Sequence, residues 1–106
     1  MNKRVKRLWL KELRSGEYEQ GKGTLRQKGQ KNDYAYCCLG VLEKIRCDEK
    51  RLQRFPKRDT LTEATRKWAG LDENNPDLPN DHRSLAELND NGMSFKAIAA
   101  RIEKYL

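Results

Sequence analysis

Residues 37–47 read CCLGVLEKIRC, the most apolar run in the chain, and their spacing decides what the rest folds around. Cys38, Val41, Leu42 and Ile45 lie three and four residues apart, which puts them on one face of a helix. Upstream, Val5, Leu8, Trp9 and Leu13 repeat that spacing and predict a first helix, with Trp9 and Leu13 packing on the central one. Ser15-Gly16 ends it, Gly16 suiting the left-handed position that follows a helix. Downstream, Thr60 and Glu63 form a T-x-x-E capping box before a stripe of Leu61, Ala64, Thr65 and Trp68, and Gly70 stops that helix. Residues 72–83 carry two prolines and several turn formers and read as loop. Ser84 and Glu87 make a second capping box over Leu85, Leu88 and Asn89, ended by Asp90-Asn91-Gly92. Ser94 caps a last helix whose stripe is Phe95, Ile98, Ala99, Ile102 and Leu106.

Between the first helix and the central one lies YEQGKGTLRQKGQKNDYAY, residues 18–36, where Gly21, Gly23 and Gly29 break helical continuity. Thr24–Arg26 and Tyr34–Tyr36 suit short strands, giving a loose hairpin around Lys28 to Asp33. Residues 46–59, RCDEKRLQRFPKRD, read as a charged connection broken at Pro56. The expected fold class is therefore α+β, mostly α: about five short helices with a small irregular β-hairpin after the first, in one small domain spanning 1–106.

Hydrophobic residues make up 36% of the 106 positions and charged residues 37%, a lean core under a heavily charged surface. Such leanness favours self-association, since an interface buries further apolar area, so a homo-oligomer is expected. No stretch approaches the roughly 20 apolar residues of a membrane span, and MNKRVKRLWLKELRSG is too charged for a secretory signal core, so a cytoplasmic location is expected. The net charge of +7 is unevenly distributed. Residues 1–58 hold 17 Lys/Arg against 7 Asp/Glu, whereas residues 59–106 hold 6 against 9. Such asymmetry suits an anionic partner, whether a nucleotide, a nucleic acid or an acidic protein.

Two basic segments are candidates. In the glycine-rich stretch, Gln20, Gly21, Lys22 and Gly23 with Arg26 supply backbone N–H groups and cations for phosphate, while Tyr34 and Tyr36 offer rings for a base. The segment lacks the G-x-x-x-x-G-K-[ST] spacing of a phosphate loop and a strand before it. On the first helix, Lys3, Arg7, Lys11 and Arg14 line the face opposite the apolar stripe and suit nucleic acid. The C-terminal run LAELNDNGMSFKAIAARIEKYL looks like the opening of a helix-turn-helix, but no recognition helix follows it before Leu106.

Catalytic and metal-binding patterns are missing. Cys37, Cys38 and Cys47 are an odd set without C-x-x-C spacing, and the flanking Leu39, Val41 and Leu42 point to reduced, buried thiols. His82 is the one histidine, with Asp81 beside it and no placed nucleophile. No catalytic residue, metal or cofactor is therefore assigned.

WLKELRSGEYEQGKGTLR (9–26), YCCLGVL (36–42), WAGL (68–71) and LNDNGMSFKAIAARIE (88–103) together resemble a family of small proteins encoded by tailed bacteriophages and prophages. Members of that family often carry a further Cys directly after YCCLGVL; here Glu43 stands there, which argues against a metal role for the thiols. The resemblance implies a phage accessory protein that counters host defence by sequestering a nucleotide-like anion. The alternatives are a nucleic-acid binder using the basic helix face, or an inhibitor that docks by that face on an acidic host protein.

Overall fold

The computed structural model describes residues 1–79 and 83–106. His82 and Asp81, weighed above as a catalytic pair, lie outside the described residues. Among the described residues, five helices and a three-stranded sheet make the fold, in the expected class: α1 (Lys3–Arg14), β1 (Glu19–Gln20), β2 (Arg26–Lys28), β3 (Tyr34–Tyr36), α2 (Cys38–Glu49), α3 (Glu63–Ala69), α4 (Leu85–Asp90) and α5 (Phe95–Tyr105).

The central helix is buried along most of its length. Cys38, Leu39, Val41 and Leu42 are fully enclosed, and Trp9 of α1, also fully enclosed, donates its indole N–H to the Cys38 carbonyl at 2.9 Å. A large ring and its one polar atom are thus both satisfied at the α1–α2 contact. α5 closes α1 from the other side through Phe95, Ile98, Ala99 and Ile102, and α4 bridges α2 and α5.

Local signals set the helix ends. Ser84 and Ser94 accept from the backbone N–H three residues on, as the caps predict, and Gly16 and Gly70 adopt φ of +76° and +70°. Thr62, not Thr60, caps α3: its hydroxyl accepts from Thr65 N–H, while Leu61 lies buried one residue before the cap. The central helix also outruns its apolar stripe to Glu49, so the charged connection begins later than expected.

The hairpin forms as β2–β3, with β2 displaced two residues from the expected Thr24–Arg26. β3 takes a second partner, the parallel strand β1, so the order is β1-β3-β2. Directly opposed residues share a face, so Arg26, Lys28, Tyr34 and Tyr36 stand on one side of the hairpin.

Candidate functional site

Seen from its own hydrogen bonds, the glycine-rich segment is a structural strut. Gln20 donates to Asn89 Oδ1 and to the Met93 carbonyl, both at 2.8 Å, and accepts from Phe95 N–H at 3.2 Å. Gly21 is buried and gives its N–H to the Tyr36 carbonyl at 2.7 Å. Gly23 gives its own to the Asp90 carboxylate at 2.9 Å. The donors expected to face an anion are therefore engaged within the protein, which corrects the reading of Gln20, Gly21 and Gly23 as ligand groups. Lys22 is exposed beside them. Tyr36 is buried, edge-on to Tyr18 and Phe55 at 5.4 and 5.8 Å between ring centroids, and offers no face to a base.

Backbone donors do converge on a carboxylate, at the hairpin loop. Gln30, Lys31 and Asn32 donate their N–H groups to Glu19 at 2.7–2.9 Å, and these bonds hold the Glu19 carboxyl below its ordinary range. A group with a depressed folded pKa contributes its stability above the unfolded value and loses it as pH falls through the folded one. Acidification through the carboxylate range should therefore release the loop: the three amide resonances should shift together below the pH at which a free glutamate titrates. A Glu19→Gln variant should lack that transition, and flat amide shifts in the native protein would contradict the assignment.

Arg26 belongs to another site, with Tyr34 packed on its guanidinium. At the end of α2, Arg51 adopts φ of +54°, a left-handed turn in which Leu52 N–H bonds back to the Cys47 carbonyl at 2.9 Å. The turn folds residues 52–57 back beside α2 and α3. Between them opens a cleft of about 910 Å³, lined by Arg26, Arg46, Arg54 and Lys57 among apolar Leu52 and Phe55. Its one acidic lining residue, Glu43, is 1% exposed and fully occupied: Oε1 accepts from Thr62 N–H and Oγ1 at 2.7 and 2.8 Å, and Oε2 from Thr65 Oγ1 at 2.8 Å. None of the four cations has a carboxylate partner among the described residues, and Arg46 Nε is buried without any hydrogen-bond partner there. Unpaired charge gathered in a concave, partly apolar site is the arrangement that attracts an anion.

On α1 the outcome is divided. Arg14 forms a forked ion pair with Glu103 at 3.1 and 3.2 Å, and neighbouring Arg4 does the same with Glu49 at 2.7 and 3.3 Å. Lys3, Arg7 and Lys11 remain exposed, with no ion pair among the described residues. The second half of the chain and the end of α2 thus cancel part of the basic helix face.

The three cysteines are free and buried, and burial pushes each thiol up, Cys38 furthest. A protonated, enclosed thiol is a poor nucleophile, and Cys37 serves instead as the N-cap of α2, its Sγ accepting from Gly40 N–H. Among the described residues no group of three or more His, Cys, Asp or Glu is placed to hold a metal ion, and no helix is long and apolar enough to cross a membrane.

Fold and cleft define a small, mostly helical α+β protein with a cationic groove beside its central helix. The chain belongs to the family described as domain of unknown function DUF8296, which matches residues 1–106. No curated protein and no solved structure matches it.

Proposed function

We propose that this protein binds and sequesters a nucleotide-like anion in the cleft between α2, residues 52–57 and α3, without chemistry on the ligand. The observation that carries this reading is the set of four cations, Arg26, Arg46, Arg54 and Lys57, with the buried Arg46 Nε among them lacking a partner. Guanidinium groups match phosphate oxygens in a forked geometry that ammonium cannot reproduce, and three of the four cations are arginines. Leu52, Phe55 and the aliphatic stems of the arginines supply apolar surface for a base. With the resemblance to phage proteins, the role is that of an accessory protein in the cytoplasm of an infected bacterium, removing a nucleotide signal from host defence.

A second reading keeps nucleic acid or an acidic host protein on Lys3, Arg7 and Lys11, because those three side chains are exposed on one strip of α1 and have no ion pair among the described residues. Three phosphate contacts would give only a shallow salt dependence.

Thermal melting in the presence of nucleoside mono-, di- and triphosphates tests the cleft reading. A ligand at one hundred times its Kd adds about 2.7 kcal/mol, which for a domain of this size raises Tm by about 11–22 °C. Unchanged melting with every nucleotide would remove it.

A further inference from the structure

We propose that the ligand spans at least two linked nucleosides: a short single strand, with its phosphates on the cleft cations and one base outside, on Tyr34. This rests on the cleft reading and extends it. Tyr34 at 46% and Leu52 at 45% are the exposed large hydrophobic side chains among the described residues. Leu52 lines the cleft directly, and Tyr34 joins it through Arg26, whose guanidinium carbon sits 4.0 Å from the Tyr34 ring centroid and 4.5 Å from that of Phe55.

These two distances place the Tyr34 and Phe55 ring centroids within about 8.5 Å of each other, with the Arg26 guanidinium against both. Arg26 is thus held by two rings, and its N–H edges remain for phosphate. One face of Tyr34 is covered by Arg26 and its exposure leaves the other to stack on a planar group. Lys28, directly opposite Tyr34 in the register and on the same face of the hairpin, adds a further cation beside the ring. A mononucleotide seated among Arg46, Arg54 and Lys57 would leave Tyr34 and Lys28 unused. Aromatic faces alternating with cations along a groove are the recognition pattern of single-stranded nucleic acid.

Affinities for adenosine monophosphate, adenosine diphosphate and the 5′-phosphorylated dinucleotide pApA, measured by calorimetry on the wild type, Tyr34→Ala and Tyr34→Phe, decide it. Stacking of one base changes affinity by about ten-fold, so pApA should bind at least that much tighter than the monophosphate. Tyr34→Ala should abolish this advantage, weakening pApA far more than the monophosphate, whose loss is limited to the looser hold on Arg26, while Tyr34→Phe, which keeps the ring, should preserve it. Equal binding of all three ligands, indifferent to Tyr34, would overturn the two-nucleoside inference while the cleft reading stood. Absence of binding by all three would end both. Tighter binding of the diphosphate than of pApA would show that charge alone is read, and would also overturn the inference.

Discussion

Gly40→Ala should destabilise the protein by about 3 kcal/mol or more, against the gain that helix propensity alone forecasts. Ala is the better helix former by about 1 kcal/mol, and Gly40 lies in the first turn of α2. Its missing side chain, however, is where the Leu25 backbone crosses: an added Cβ would fall on the Leu25 carbonyl oxygen and crowd its carbonyl carbon at 2.7 Å. Backbone cannot step aside as a flexible side chain can, because Leu25 is fixed on both sides. Its N–H donates to the Arg58 carbonyl at 2.9 Å and its carbonyl accepts from Cys37 N–H at 3.3 Å. Overpacking at such a contact therefore outweighs propensity. Urea unfolding of Gly40→Ala should show a lowered midpoint; a midpoint equal to or above the wild type would mean that the Leu25 backbone does not lie against α2.

Asn89→Ala should cost a similar amount, about 3–5 kcal/mol, by leaving buried polar groups unpaired. The Asn89 side chain is fully enclosed. Its Oδ1 accepts from Cys38 N–H at 3.1 Å and from Gln20 Nε2 at 2.8 Å, and its Nδ2 donates to the Gly21 carbonyl at 2.7 Å. One amide thus ties α4 to the start of α2 and to β1. Truncation removes these bonds and strands their partners away from water, and for a domain of this size each kcal/mol lowers Tm by about 4–8 °C. A melting temperature within a degree or two of the wild type would refute the network.

These two residues also mark where the sequence was and was not readable. Asn89 falls on the inner stripe of α4 with Leu85 and Leu88, so its burial followed from spacing. Its partners did not, since Gln20 and Gly21 lie nearly seventy positions away and nothing local ties them to it. Helix ends were legible because caps act within three residues: Ser84, Ser94, Gly16 and Gly70 all perform as their types require. Thr60 failed as a cap because Thr62 offers the same hydroxyl at the correct position. β1 was invisible for another reason. A strand of two residues, Glu19–Gln20, has no periodicity, and it exists because β3 and the α4–α5 turn hold it.

The candidate site shows the same division. Charge asymmetry pointed to residues 1–58, which hold all four cleft cations, but glycine content drew attention to residues 20–23, whose donors are used within the protein. Arg26 was singled out and lines the cleft, and Tyr34, also singled out, packs on Arg26. Arg46, Arg54, Lys57 and Phe55 were passed over inside a stretch that reads as a charged connection. Only the left-handed turn at Arg51, which bends that stretch back over α2, makes it a wall. A non-glycine residue with positive φ leaves no mark that sequence reading can find.

The most direct measurement is nucleotide binding by two charge-removed variants side by side, Arg54→Gln/Lys57→Gln in the cleft and Lys3→Gln/Arg7→Gln/Lys11→Gln on α1, each confirmed folded by its melting curve. The cleft variant should bind at least ten-fold more weakly and lose part of the salt dependence, while the α1 variant binds as the wild type does. Undiminished binding by the cleft variant together with loss in the α1 variant would contradict the assignment of the anion to the groove beside α2.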